Sequence, residues 1–408
     1  MSKPHKIALI TSGQPSLNPR LVKEADTLAA AGYDVLVIYQ FWNHWGTELD
    51  KPLLASKKWS AIRVGGTPEQ NKATYWLSRI RHKSGQKFID CLRIRSPFAE
   101  MAIGRCTHLL TNEALKHHAD LYIAHNLAAL PAAVLAAKKH QAKCGFDAED
   151  FHRNEVTDDI KSIDLKLKQF IEDKYLPQAD YLTTSSPAIS AAYAAIYPVA
   201  PVTILNTFCS EKILTPANTH AGKLKLFWFS QTIAADRGIG DCIEALKQLN
   251  LPGIELHLLG HASEQVKKQL LALAGDSVVI TFNSPIPSDH IISYASQFDI
   301  GLAMETSVPF NRNICLTNKI FTYIQAGLAL IASDTLAQQQ LLSEYQGLGK
   351  IYQNGNAAFL AEAISYYYHH PEELLKVRKN AIRVAREVLN WEEESQKYLA
   401  LIKTKLAE

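Results

Sequence analysis

Short apolar runs rich in β-branched residues alternate with segments of helical period through the first half of the chain, at residues 6–11, 35–39, 121–124, 181–184 and 202–205. Runs of this length without strict in-and-out alternation are the pattern of parallel strands buried on both faces. Between the first two runs, Asn18 is placed to cap a helix, Pro19 suits its first turn, and Gly32 suits its end. That is one βαβ unit. After a polar stretch at 215–223 the alternation resumes at residues 224–229, 254–259, 278–282, 299–304 and 328–332.

The expected fold class is α/β: two Rossmann-like, doubly wound domains joined near residues 210–222. The boundaries expected are 1–214 for an N-terminal domain and 215–385 for a C-terminal domain. Residues 386–408 form a last helix expected to pack back on the N-terminal domain. Ligands of such sheets bind beyond the carboxyl ends of the strands, so facing domains would hold a site in the cleft between them.

Composition narrows the classes. The 408 residues exceed what one hydrophobic core usually serves, and 47% hydrophobic with 20% charged residues is ordinary globular usage. A formal net charge of +3 gives no global field toward nucleic acid, so no nucleic-acid partner is expected. Cys91, Cys106, Cys144, Cys209, Cys242 and Cys315 are scattered, with no C-x-x-C pair and no cysteine and histidine spacing for zinc. A reducing compartment and no metal are the expectation. No run approaches the roughly 18 apolar residues of a membrane span, which points to a cytoplasmic chain.

One segment departs from the average. Residues 57–105 carry eleven Lys and Arg against Glu69, Asp90 and Glu100. Within it, YWLSRIRHKSGQKFIDCLRIR mixes aromatic and aliphatic positions with cations at near-helical spacing. It reads either as a solvated helical face or as a patch that meets the inner face of a membrane.

Candidate chemistry clusters after strands. Ser230, Gln231 and Thr232 are expected to open a loop that Arg237 and Gly238 close before an amphipathic helix. Free N–H groups at a helix start beside a guanidinium suit a diphosphate, although the same residues could simply cap and solvate the helix. Farther on, Glu305 follows a strand, and Thr317 or Asn318 can cap a helix beginning near Lys319, whose ammonium would face the same phosphate region. Asn313, Thr322 and Ser284, in the same half, are candidate sugar or nucleotide contacts. There is no G-x-x-x-x-G-K-[ST] loop, which disfavours a P-loop ATPase.

The segment CLTNKIFTYIQAGLALIASD resembles the donor-site helix of retaining GT-B glycosyltransferases of family four, whose usual form is close to PNK-L-F-E-Y-x-x-x-G-x-P-V-I-A-S. NPRLVKEADTLAAAGYDVLVI resembles the first βα unit of that family, and DLYIAHN, FDAEDFHRNE and ADYLTTSS follow in its order. The resemblance implies a GT-B transferase that uses a UDP- or GDP-sugar as substrate, needs no cofactor, and acts on a glycan or lipid-linked acceptor in cell-surface glycan synthesis. By that likeness Arg237 matches the basic residue of the phosphate loop, and Lys319 lies in the helix whose start meets the diphosphate. The family's two glutamates eight residues apart are replaced here by Ile314 and Thr322. Glu305 is then the nearest carboxylate for sugar hydroxyls, or else a salt-bridge residue.

The resemblance also matches His125 to a histidine common after that strand, which would contact the donor sugar or steer the acceptor hydroxyl; a lone histidine is equally a structural residue. Asp147, Glu149, Asp150 and Glu155 crowd another strand end, as acceptor-side groups or as acids favoured near helix starts. Asn18 and Arg20 are further acceptor-side candidates. Two rivals remain at this stage. A GT-B nucleotide-sugar epimerase would need Glu305, His125 or the acids at 147–155 as its acid and base, and Thr322 makes a non-catalytic nucleotide-sugar-binding scaffold credible.

Overall fold

The computed structural model describes residues 4–92, 94, 98–212, 223–234 and 238–408. The chain divides into two compact units, Met1–Ile204 with Ser395–Glu408, and Leu205–Glu394.

The first unit runs β1 (Lys6–Thr11), α1 (Pro19–Ala30), β2 (Asp34–Gln40), α2 (His44–Ala55), β3 (Ser60–Val64), α3 (Lys72–Leu92), α4 (Phe98–Ile103), α5 (Thr107–Ala114), β4 (Leu121–His125), α6 (Leu130–His140), β5 (Lys143–Ala148), α7 (Ile163–Tyr175), β6 (Tyr181–Thr184), α8 (Pro187–Ala194) and β7 (Val202–Thr203). Its sheet is parallel throughout, in the order β3-β2-β1-β4-β5-β6-β7. β1 is buried from Ile7 to Thr11, which is why its sequence reads as an unbroken apolar run. Asn18 caps α1 as expected: its side chain accepts from the Leu21 N–H, with Pro19 in the first turn.

The second unit runs β8 (Leu224–Thr232), α9 (Ile239–Leu249), β9 (Ile254–His261), α10 (Glu264–Ala274), β10 (Val279–Asn283), α11 (Ile291–Ala295), β11 (Ile300–Ala303), α12 (Phe310–Ile314), α13 (Asn318–Gln325), β12 (Ala329–Ser333), α14 (Leu336–Glu344), β13 (Gly349–Tyr352), α15 (Ala357–His369) and α16 (Pro371–Glu387). Its parallel sheet has the order β10-β9-β8-β11-β12-β13. The final helix, α17 (Trp391–Ala407), supplies Ser395–Glu408 to the first unit. The core of the second unit is built on Leu226, Trp228, Leu256, Leu258, Ile300 and Leu302. Truncating one of these to alanine costs about 2–5 kcal/mol in cores of this kind. Gly301 lets α13 lie close on β11, since a Cβ there would stand 2.3 Å from Cγ of Tyr323.

Three strands depart from the expectation: β3, β5 and β13 are absent from the apolar pattern. β3 and β13 are the edge strands of their sheets and are largely half-buried, so their sequences, SAIRV and GKIY, carry polar residues. β8 also continues through Ser230 and Gln231 to Thr232, with an irregularity in its pairing after Phe229. The loop expected to open at Ser230 therefore begins after the strand.

Candidate functional site

Both sheets reverse their order beside their first strand, β1 against β4 and β8 against β11, and the residues past those carboxyl ends are where a doubly wound sheet presents a ligand site.

In the second unit, two helix starts converge near the end of β11. α13 begins after Thr317, whose side chain makes no capping hydrogen bond. The Thr317 hydroxyl instead donates to Glu305 Oε1 at 3.2 Å. α9 begins after Gly238, again with no side-chain cap. Gly238 has φ +74° and lies so close to Met304 that an added Cβ would meet the Met304 Cβ at 3.0 Å. First-turn N–H groups that the side chains of neither N-cap residue take up, with the positive ends of two helix dipoles, are able to receive an anion.

Lys319, in the first turn of α13, completes that character. Its Nζ lies 2.5 Å from Glu305 Oε1 and 5.9 Å from the centre of the Trp228 ring. The Lys319 and Glu305 side chains are each 12% exposed, enough for a ligand to reach them. Glu305 is fixed by Ser333 at the end of β12: the Glu305 N–H donates to Ser333 Oγ at 3.0 Å, and that hydroxyl donates to the Glu305 carbonyl at 2.7 Å. Gln338 holds the same hydroxyl from α14 at 3.0 Å.

The other residues singled out in this half separate. Asn318 Oδ1 accepts from Asn206 Nδ2 at 2.7 Å. Asn313 accepts from the Leu336 N–H at 3.0 Å and so helps to cap α14. Thr322 is 2% exposed, and its hydroxyl donates to the Asn318 carbonyl one turn back at 3.0 Å. The Thr322 hydroxyl is therefore used inside the helix. Ile314 is buried core, and Ser284 is exposed just past β10. Ser230 and Gln231 lie within β8, in the irregular stretch between the Phe229 and Thr232 pairings. Arg237 lies outside the described residues.

In the first unit, the register places His125, Asp147 and Thr183 in one row across β4, β5 and β6. Side chains in one row of a parallel sheet point to the same face, which here lies under α1. Arg20 of α1 grips Asp147 with two bonds, Nε to Oδ2 at 2.7 Å and Nη2 to Oδ1 at 2.8 Å, and donates through Nη1 to the Ile204 carbonyl at 2.6 Å. Thr183 donates to Asp147 Oδ1 at 2.7 Å. His125 sits between two carboxylates, Nε2 at 3.3 Å from Glu24 Oε2 and Nδ1 at 3.4 Å from Asp147 Oδ2.

This group is almost wholly out of solvent: His125 and Asp147 are 1% exposed, and Arg20 and Glu24 are fully covered. Burial opposes a charged His125, but Glu24 and Asp147 outweigh it and raise the imidazole to about 10. Burial likewise works against the Asp147 anion, yet Arg20 and His125 hold its carboxyl well below the usual range. Two cations thus balance two carboxylates inside the core. His125, expected as a donor-sugar or acceptor-hydroxyl contact or else as a structural residue, thus lies 1% exposed between Glu24 and Asp147. Arg20 and Asp147, expected on the acceptor side, belong to the same buried group.

Glu24, His125 and Asp147 offer three ligand atoms within 4.8 Å of one another, and among the described residues they alone group in a way that could hold a metal ion. Arg20 already stands 2.7 Å from the Asp147 oxygen and 3.4 Å from Glu24. A metal cation would have to displace that guanidinium or be repelled by it.

Glu149, half-buried past β5, is different: burial, with Asp150 and Asp147 against the opposing Arg20, pushes its carboxyl up to about 7. Glu155 turns away to His152 Nδ1 at 3.3 Å and Lys168 Nζ at 3.4 Å. Burial would raise its carboxyl, but these two cations bring it down to about 2. Two residues escaped sequence reasoning. Asn126 follows β4 at φ +71° and accepts from the Thr11 hydroxyl at 2.8 Å across the switch point, and buried Trp228 backs Lys319. Asn126 was legible only as the residue after an expected strand.

Residues 239–400 match the family model described as glycosyl transferase-like. No curated protein matches the sequence. Among solved structures, the chain is similar to Anabaena HepE in complex with UDP, with 15% identity, a TM-score of 0.70, and 98% of this chain and 100% of that chain covered. Sucrose-phosphate synthase from Thermosynechococcus elongatus gives 15% identity and a TM-score of 0.72, with 99% of each chain covered. WaaG, a glycosyltransferase involved in lipopolysaccharide biosynthesis, gives 14% identity and a TM-score of 0.64, covering 97% of this chain and 99% of that one. The family model covers most of the second unit, and the likeness in fold to these solved structures runs over the whole chain.

Proposed function

We propose that this chain transfers a sugar, with retention of anomeric configuration, from a UDP- or GDP-sugar to a hydroxyl of a glycan or lipid-linked acceptor in cell-surface glycan synthesis. The observation that carries the reading is Lys319 at the uncapped start of α13, beside the equally uncapped start of α9. A donor diphosphate fits that pair of helix starts. Negative charge grows on the leaving diphosphate as the glycosidic bond breaks, and first-turn N–H groups with the Lys319 ammonium stabilise it there. Arg237, which directly precedes the start of α9 in sequence, is assigned to the same phosphates by the family likeness. The acceptor hydroxyl attacks from the leaving-group face and its proton passes to the departing phosphate oxygen, so no protein nucleophile is assigned. HepE, which has the same fold, is known in complexes with UDP and with UDP-glucose, which supports a uridine nucleotide here.

The test is release of nucleoside diphosphate from UDP- and GDP-sugars with and without hydroxyl acceptors, and the anomeric configuration of the product. Acceptor-dependent release from one donor, abolished in Lys319→Ala, supports the proposal; an inverted product removes the retaining mechanism. The buried Thr322 hydroxyl favours one rival, a nucleotide-sugar-binding scaffold, because the usual carboxylate of that helix is missing. That rival predicts donor binding with no turnover.

A further inference from the structure

The chain has six tryptophans, and the three that are exposed, Trp42, Trp45 and Trp76, belong to the first unit. Trp42 and Trp45, 65% and 52% exposed, stand just past β2, the strand beside β1. The carboxyl ends of these strands, next to the point where the sheet reverses its order, are where a doubly wound sheet presents ligands. The two indoles are therefore on the ligand side of the unit.

The loop that carries them is tied down from beneath. Gln14, fully buried after β1, accepts from the Trp42 N–H at 2.9 Å and from the Asn43 N–H at 2.8 Å. Its amide nitrogen donates to Asp50 at 2.7 Å and to Thr47 at 3.1 Å, both in α2. Asn43 caps α2 by accepting from the Gly46 N–H at 2.7 Å. Gly46 fits this turn because a Cβ would stand 2.9 Å from the side-chain oxygens of both Gln14 and Asn43. Arg105 adds a bond to the Phe41 carbonyl at 2.6 Å. Among the described residues, the Trp42 and Trp45 rings meet no other ring. A backbone fixed this firmly under two outward indoles is a preorganised contact surface, which spares a ligand the cost of ordering it. A soluble surface scatters large apolar side chains singly, and a group of them marks a binding face.

The charge of the loop selects the ligand. Residues 41–50, FWNHWGTELD, hold Glu48 and Asp50 and no Lys or Arg. Lys51, the next residue, pairs with Glu48 at 2.8 Å, and His44 faces Glu69 at 3.3 Å. Arg79 and Arg105 lie over the Tyr75 ring, 5.5 and 5.1 Å from its centre. An anionic ligand thus finds carboxylates here and no free cation on the loop. A neutral sugar suits it. The C–H face of a pyranose ring is apolar and slightly positive, which matches the negative face of an indole. Its hydroxyls can donate to the exposed carboxylates of Glu48 and Glu69 at the rim. Two indoles offer more surface than one pyranose covers, so the fitting ligand is a chain of sugars.

We infer that Trp42 and Trp45 form a binding platform for a neutral glycan chain of two or more sugars. The role of that chain as the acceptor rests on the transferase reading; its binding does not.

The test is calorimetric titration of the full chain with maltohexaose, cellohexaose and chitohexaose, and with a sulfated heparin hexasaccharide as the charged control. It compares wild type, Trp42→Ala with Trp45→Ala, and Trp42→Tyr with Trp45→Tyr. Only exposed side chains change, and far-UV circular dichroism checks folding. At least one neutral hexasaccharide should bind the wild type. The alanine pair should lose about tenfold or more of that affinity, the worth of two ring contacts, and the tyrosine pair should keep most of it. With a nucleotide-sugar donor present, the alanine pair should raise KM for the bound hexasaccharide about tenfold and leave kcat unchanged, as expected for binding shared by ground and transition states. Failure of all three neutral chains to bind overturns the inference, as does stronger binding of the heparin chain or affinity that the alanine pair leaves unchanged. If the alanine pair instead abolishes self-association, or sedimentation with phosphatidylcholine vesicles, in a wild type that binds no glycan, the rings serve a dimer contact or a lipid surface and the inference falls. Sugar transfer without glycan binding at the rings removes this inference alone. Glycan binding lost in the alanine pair, with no transfer from UDP- or GDP-sugars, upholds the platform and removes the transferase reading alone.

Discussion

Lys319 Nζ stands 2.5 Å from Glu305 Oε1 at the start of α13, so the cation assigned to the diphosphate already has a counter-charge. A diphosphate arriving there meets an ammonium partly offset by a carboxylate. Replacing Glu305 with glutamine removes the offset while keeping a similar shape, and affinity for nucleoside diphosphate should rise, on the order of tenfold. Calorimetry of Glu305→Gln against wild type checks this. A loss of affinity would show that Glu305 itself holds the ligand.

Thr322 occupies the place of a family glutamate, yet its hydroxyl closes a bond to the Asn318 carbonyl inside α13. Thr322→Val should therefore lower stability by about 1 kcal/mol and leave nucleotide affinity unchanged. Urea unfolding and UDP titration of the same variant measure both. A tenfold loss of UDP affinity would return Thr322 to the binding site.

His125, Glu24, Asp147 and Arg20 form a charge-balanced group in the core of the first unit. Removing the imidazolium leaves its two carboxylates with only Arg20, and His125→Ala should cost about 3–5 kcal/mol of stability. The pH dependence has a defined sign. The imidazole is raised from 6.5 to about 10 on folding, so its contribution is complete below pH 6.5 and disappears as pH rises through about 10. Asp147 is held below the ordinary range, so its contribution is present above pH 4 or so and falls away as pH drops. Unfolding measured from pH 5 to 10 should show a steep alkaline loss in wild type and a shallower one in His125→Ala. Parallel curves would contradict the assignment.

Glu149 behaves in the opposite way to Asp147, although only one residue separates them. Its carboxyl is raised from 4.5 to about 7, so its favourable contribution exists at low pH and is lost as pH rises through 7. Glu149→Gln keeps a neutral side chain at every pH. The variant should match wild type near pH 5 and exceed it in stability near pH 8, as read by thermal unfolding at the two values. Equal stability at both would place the Glu149 carboxyl in an ordinary solvated state.

Much of the fold was legible because central parallel strands must be apolar along their whole length. KIALIT and YLTT coincide with β1 and β6 residue for residue. β3 and β13 escaped because an edge strand keeps one side near solvent and can carry Arg63 or Lys350. β5 escaped because KCGFDA begins with a lysine and carries, next to its last residue, the aspartate that Arg20 pairs. The site was legible as a set of positions after strands, since topology alone fixes those ends. The direction of the side chains was not. Asn18 and Lys319 stand where local helix chemistry puts them, whereas the inward turn of His125, Arg20 and Asp147 depends on register across three strands and on α1 lying over them, a relation between residues more than a hundred positions apart.

The measurement that bears most directly on the donor site is calorimetric titration of wild type and Lys319→Ala with UDP, GDP and ADP. One nucleotide should bind the wild type, and the variant should lose about 1.5–3 kcal/mol of that affinity, the worth of a charge-assisted bond to phosphate. Equal affinity in wild type and variant, or no binding by any of the three, would contradict the assignment of the start of α13 as the diphosphate site.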